Sequence, residues 1–127
     1  MKLLTKEIVN NMPALYETED LGNDAPIIVK FFTPWSNWTW YAKEASVRCN
    51  DGLYRPLKEM WAEVDKMQKV GGPIDEIDDV LFFGLVDGHY KELGYFTLND
   101  LLSQKGPGGL RIERDMHFDG KTIKDVM

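Results

Sequence analysis

The apolar positions along the chain follow two rhythms. Leu57, Met60, Trp61, Val64, Met67 and Val70 recur every three or four residues, with Lys58, Glu59, Glu63, Asp65, Lys66 and Lys69 between them. That spacing lines one face of a helix. Pro56 suits its first turn and Gly71-Gly72-Pro73 stops it, so a helix is predicted over 56–70. Elsewhere the rhythm is that of strands. Ile27-Ile28-Val29-Lys30-Phe31-Phe32 is β-branched and aromatic between two prolines, and Trp38–Glu44 alternates with period two. The short link between them, Thr33-Pro34-Trp35-Ser36-Asn37, implies an antiparallel hairpin. Val80–Val86 is apolar at nearly every position, as in a central strand covered on both faces. Asp87-Gly88 turns the chain, and Glu92–Phe96 returns as its partner.

Thr5 and Thr97 are predicted N-caps of short helices, and another short helix is expected from Thr122. The stretch from Glu17 to Pro26 reads as an acidic loop, and Gly106-Pro107-Gly108-Gly109 as another. Leu110–Phe118 is predicted as the last strand, with Leu110, Ile112, Met116 and Phe118 on one face and Arg111, Glu113, Asp115 and His117 on the other. Arg114 falls between Ile112 and Met116, so it either snorkels or pairs with a carboxylate. Strands and helices do not alternate regularly, and no linker or repeat interrupts the chain. The expectation is one α+β domain over 1–127, with short helices packed on a mostly antiparallel sheet of about five strands. A chain of 127 residues is long enough for a core without metal or disulfide staples.

Charge narrows the function classes. Twenty-one acids against fifteen Lys and Arg give a net charge of −6, which opposes binding through nucleic-acid phosphates or anionic lipid. Residues 50–109 carry eleven of the acids and six of the bases, hence five of the six surplus charges. Asp75, Glu76, Asp78 and Asp79 are the densest point. Such a cluster is either a solvated loop at a strand's start or a docking patch for a basic partner. It fails as a calcium loop, because Val80 stands where the sixth-position glycine belongs. One free thiol, Cys49, and a first charge too early for a signal peptide suit a reducing cytoplasm. No apolar run reaches the roughly 20 residues of a membrane span.

Three sets of residues carry candidate chemistry. On a strand, Glu113, Asp115 and His117 stand in a row about 6–7 Å apart. A carboxylate beside an imidazole supports acid–base catalysis, although the same row describes the wet face of an edge strand. Trp35, Trp38 and Trp40 form a dense aromatic hairpin that either stacks on bases, sugars or a partner's side chains, or joins the core. Trp35, in the turn, is expected to be the most exposed. Cys49 follows Arg48, but no positioned base accompanies it. The two histidines, His89 and His117, and the lone cysteine match no metal-ligand spacing, so no metal is expected. No dinucleotide or phosphate-loop fingerprint is present, so no cofactor is expected either.

Phe31-Phe32-Thr33-Pro34, Asn37-Trp38-Thr39-Trp40-Tyr41 and Glu44, with Leu81–Val86, Glu92–Leu98 and Gly109–Asp115, together resemble an uncharacterised bacterial family. It is a domain of unknown function carried on plasmids, phages and integrative conjugative elements. The resemblance implies a compact α+β domain and a mobile-element setting, and it brings no activity. The leading expectation is a non-enzymatic accessory protein acting through protein contacts, with Asp75, Glu76, Asp78 and Asp79 or the tryptophan hairpin as its surface. One alternative is a hydrolase-type enzyme using Glu113, Asp115 and His117. The other is a nucleic-acid-binding module built on Trp35, Trp38 and Trp40.

Overall fold

Thr5 opens helix α1 (Lys6–Asn11) as its sequence context predicts, its hydroxyl accepting the Ile8 N–H at 3.2 Å. The computed structural model describes all 127 residues. After a 3₁₀ stretch at Glu19–Asp24 come strands β1 (Val29–Phe32) and β2 (Thr39–Cys49), paired antiparallel with Phe31 opposite Trp40. Then follow β3 (Tyr54–Pro56), a 3₁₀ turn at Leu57–Met60 and helix α2 (Trp61–Val70). Strands β4 (Ile77–Asp87) and β5 (Lys91–Thr97) form the second hairpin. Thr97 then caps α3 (Leu98–Ser103), accepting the Asp100 N–H at 3.1 Å. Strand β6 (Glu113–Arg114) and helix α4 (Ile123–Val126), closed by a Thr122/Asp125 capping box, complete the chain. The strands make one antiparallel sheet in the order β5-β4-β2-β1-β6, with β3 also on β2. This is an α+β fold.

Two expectations are corrected. The predicted helix starts five residues late: Pro56 ends a short strand, Tyr54–Pro56, paired with Ser46–Arg48, and Leu57–Met60 wind as a 3₁₀ turn before it. Proline is admissible there, at the end of an edge strand, since it lacks only an N–H. The predicted last strand shrinks to Glu113–Arg114, opposite Phe32 and Phe31. Leu110 and Met116, expected on an inward face, are 43% and 63% exposed. The causes are local: Leu110 closes the 3₁₀ turn at Pro107–Gly109, and Asp115 accepts the His117 N–H at 2.9 Å, turning the chain before alternation can continue. Arg114 meets no carboxylate; its guanidinium donates to the Lys2 carbonyl at 2.9 Å.

The sheet buries both faces, unequally. On the first, Phe31, Trp40, Ala45, Val47, Val80, Phe82 and Phe96 pack against Val9, Leu57, Val64, Met67, Leu98 and Leu101. Phe82 stacks on Phe96 with centroids 5.1 Å apart and meets Phe31 edge-on at 5.6 Å. The chain start joins this layer, because Gln68 accepts the Leu4 N–H at 2.7 Å and donates to its carbonyl at 3.0 Å. On the second face a smaller cluster of Ile27, Leu85 and Ile123 lies under α4. Residues 13–18 cross part of that face, over Glu44 and Ser46. No helix is long and apolar enough to cross a membrane.

The two faces meet in a bulge. Ala42 opposes Gly84, yet Glu44 opposes Phe83, so Lys43 is an extra residue in β2. Before it, even-numbered Trp40 and Ala42 face the large core; after it, odd-numbered Ala45, Val47 and Cys49 do. Gly84 sits opposite the irregularity, where a Cβ would lie 1.7 Å from the Tyr41 carbonyl oxygen.

Candidate functional site

The bulge places Lys43 and Glu44 side by side on the second face, 6% and 3% exposed. A buried carboxylate is costly unless its lone pairs are used, and those of Glu44 are. Oε1 accepts the Tyr16 N–H at 2.9 Å; Oε2 accepts the Thr18 N–H at 2.9 Å and the Thr18 hydroxyl. Burial pushes the Glu44 carboxyl up, but the hydrogen bonds from Thr18 and Tyr16 and the Lys43 charge outweigh it. The net shift is below the usual glutamate range. Lys43 Nζ stands 3.7 Å from Glu44 Oε2 and 5.5 Å from the centroid of the Phe83 ring, and it makes no hydrogen bond.

Glu44 thereby fixes residues 13–18 across the sheet. Ser46 accepts the Leu15 N–H at 3.1 Å, and the Pro13 carbonyl accepts the Ala45 N–H at 2.9 Å. Between these anchors Tyr16 adopts φ +74°, the only positive φ outside glycine. Its hydroxyl accepts a 3.1 Å hydrogen bond from Tyr95 on β5. That bond, with desolvation and the charges of Glu44 and Glu19, holds the Tyr95 phenol protonated, its pKa pushed up to about 12.

The tyrosine pair divides a two-lobed cleft. The larger lobe, about 470 Å³, is lined by Leu15, Tyr16, Tyr54, Pro56, Leu81 and Tyr95. The smaller, about 220 Å³, holds Lys43, Glu44, Glu19 and Phe83 beside the same two tyrosines. Apolar walls with a few convergent polar groups make this the best-formed binding feature of the molecule. Pattern reading missed it, although β2 carried a signal: inward positions change from even to odd across the adjacent charges Lys43 and Glu44.

The residues singled out from sequence lie elsewhere. Glu113, Asp115 and His117 do line one shallow depression of about 370 Å³, with Lys30 and Phe32. There Asp115 bonds the His117 backbone and stands 3.5 Å from Lys30, and the His117 side chain makes no hydrogen bond. Trp40 is buried in the core. Trp38 lies on Gly88, where a Cβ would meet its ring at 2.3 Å, and Trp35 covers Gly106 in the same way. Trp35, expected to be the most exposed, is half-buried. Of the acidic cluster, Glu76 pairs with Lys66, and Asp78 pairs with Arg48 at 3.6 Å. Asp79 is buried, accepting the Val80 and Asn99 N–H groups at 2.7 and 3.1 Å. Ile77–Asp79 belongs to β4, so the expected loop ends sooner than its charges suggest. Asp75 is exposed. Cys49 is buried.

Residues 54–124, more than half of the chain, match the family model described as "Protein of unknown function (DUF2958)". The matched segment contains Tyr54, Pro56, Leu81 and Tyr95 of the cleft, whereas Tyr16, Lys43 and Glu44 precede it. No curated protein matches, and no solved structure does.

Proposed function

Because the chain belongs to the DUF2958 family of proteins of unknown function, its role has to come from its own surface, and we propose a non-enzymatic accessory protein acting through protein–protein contacts. The observation that carries this reading is the tyrosine-lined cleft, held open by a strained backbone and a saturated buried carboxylate. Tyrosines supply large, stiff, amphipathic contact area at small entropic cost, which is why they are enriched where proteins meet. The cleft's one buried acid is engaged in positioning Tyr16 and Thr18. In the depression beside β1 and β6, Asp115 holds a backbone N–H in place of an imidazole ring. Neither arrangement sets up a general base. The setting on a bacterial mobile element rests on the resemblance carried by Phe31–Pro34, Asn37–Glu44 and the second-half motifs.

Site-specific photocrosslinking in a bacterial host tests this directly. A benzophenone side chain is placed at Tyr54, in the cleft, and separately at Leu110, comparably exposed but outside it. Discrete protein adducts from position 54 that are missing from position 110 are expected. Equal adducts from both, or none from position 54, would remove the basis for a cleft-borne protein contact.

A further inference from the structure

Building on the cleft as a protein-contact surface, we propose that its occupant is an extended, positively charged segment of another protein, with apolar side chains in the tyrosine lobe and Lys or Arg at the rim. The charge follows from which ionic groups near the cleft already have partners. Its two cations are matched: Lys43 faces Glu44 at 3.7 Å, and Arg55 donates to Asp51 at 2.9 Å. The segment that forms one wall then continues through Glu17, Glu19, Asp20 and Asp24 without a single Lys or Arg. All four acids are exposed, and none is in a salt bridge. In the denser run at 75–79, Glu76 and Asp78 are paired and Asp79 is buried, which leaves Asp75 alone exposed without an ion pair. Glu19 lines the smaller lobe and Glu17 and Asp20 adjoin it in sequence, so the cleft carries negative charge without a cation paired to it. There it attracts a cationic segment and repels an acidic one.

The shape of the occupant follows from β5. This strand ends the sheet, with β4 its only strand partner. Its outer edge bears no proline, and its only lysine is Lys91 at one end, so the usual protections of an edge are sparse. Leu93 and Tyr95 are 45% and 50% exposed, and Tyr95 also lines both lobes. An extended chain laid along β5 gains main-chain hydrogen bonds and presents every second side chain to the cleft face. Glu19, with the Tyr16 and Tyr95 rings beside it in the smaller lobe, offers a carboxylate and aromatic surface to one ammonium or guanidinium.

The test is a selection of random decapeptides displayed on phage against the full-length protein, followed by affinity measurements on the enriched sequences as synthetic peptides. Enrichment of Lys or Arg interspersed with aromatic or aliphatic residues is expected. Binding should fall at least tenfold in the Glu19→Lys/Asp20→Lys double variant, tenfold or more with Tyr95→Ala, and progressively with added salt. Both variants alter exposed side chains, and matching melting curves show that they fold. Neutral or acidic peptides that lose binding with Tyr95→Ala but ignore the charge reversal and salt would overturn the cationic occupant while leaving the cleft as a contact surface. No enrichment, or enrichment indifferent to Tyr95→Ala, would overturn both.

Discussion

Tyr16 holds a backbone conformation, φ +74°, that costs a residue bearing a Cβ roughly 1–2 kcal/mol. Glu44 keeps it there, through the N–H groups of Tyr16 and Thr18 on either side of the turn. The usual order of substitutions should therefore invert at this position. Tyr16→Gly is expected to be more stable than Tyr16→Ala by about 1 kcal/mol in urea denaturation, although glycine generally weakens a fold by about that much. Equal stabilities would show that the turn relaxes in solution. Nothing in Leu15-Tyr16-Glu17 announces this conformation, because the partner that imposes it lies 28 residues away. Thr5 and Thr97, by contrast, were legible as caps because each acts on an N–H only three residues on.

Elements with both neighbours local in sequence emerge from the pattern; those completed by distant chain do not. The hairpin of β4 and β5 was readable, since alternation and the Asp87-Gly88 turn specify it together. Strand β3 was not, because its three residues have no period and exist as a strand only beside Ser46–Arg48. Glycines mark where elements approach most closely. At Gly84 a Cβ would strike the Tyr41 carbonyl, a backbone atom that cannot rotate away. Gly84→Ala should cost about 3 kcal/mol or more, among the largest effects of a single methyl, and is read as a lowered urea midpoint. Gly94 supplies the contrast, with nothing within 4 Å of its Cβ position and no positive φ. There Gly94→Ala should leave the midpoint nearly unchanged. A similar loss at both sites would mean that strand propensity, and not the collision, governs.

Across the whole molecule, acidity shapes stability as well as surface. Glu44, Asp65, Glu76 and Asp125 all have carboxyls held below their ordinary range: Glu44 by hydrogen bonds that outweigh burial, Asp65 and Glu76 by lysines, and Asp125 by its capping contacts. A depressed folded-state pKa means that the unfolded chain binds protons first. The stabilisation is thus complete above the unfolded values of 3.8 and 4.5 and is lost as pH falls through the lower folded ones. Urea midpoints should be flat near neutrality and decline steeply below about pH 4.5. The Glu44→Gln variant should start lower and decline less. An equally steep decline would remove Glu44 from the acid response. Net charge was legible at the start, but which acids are free depended on pairing across the fold, as at Arg48 with Asp78.

The extra residue in β2 acts on the strand as an inserted base acts on a gene. A strand has a reading frame of two, and Lys43 is a frameshift already built into it. Remove that one residue and the strand reads straight through: Ala45, Val47 and Cys49 stay in phase with Trp40 and Ala42 and keep their partners on β4, and only the bulge disappears. Loss of Lys43 is thus the one change of length in β2 that is silent in phase, whereas loss of any paired residue between Trp40 and Val47 is inheritable only alongside a second change that restores the frame.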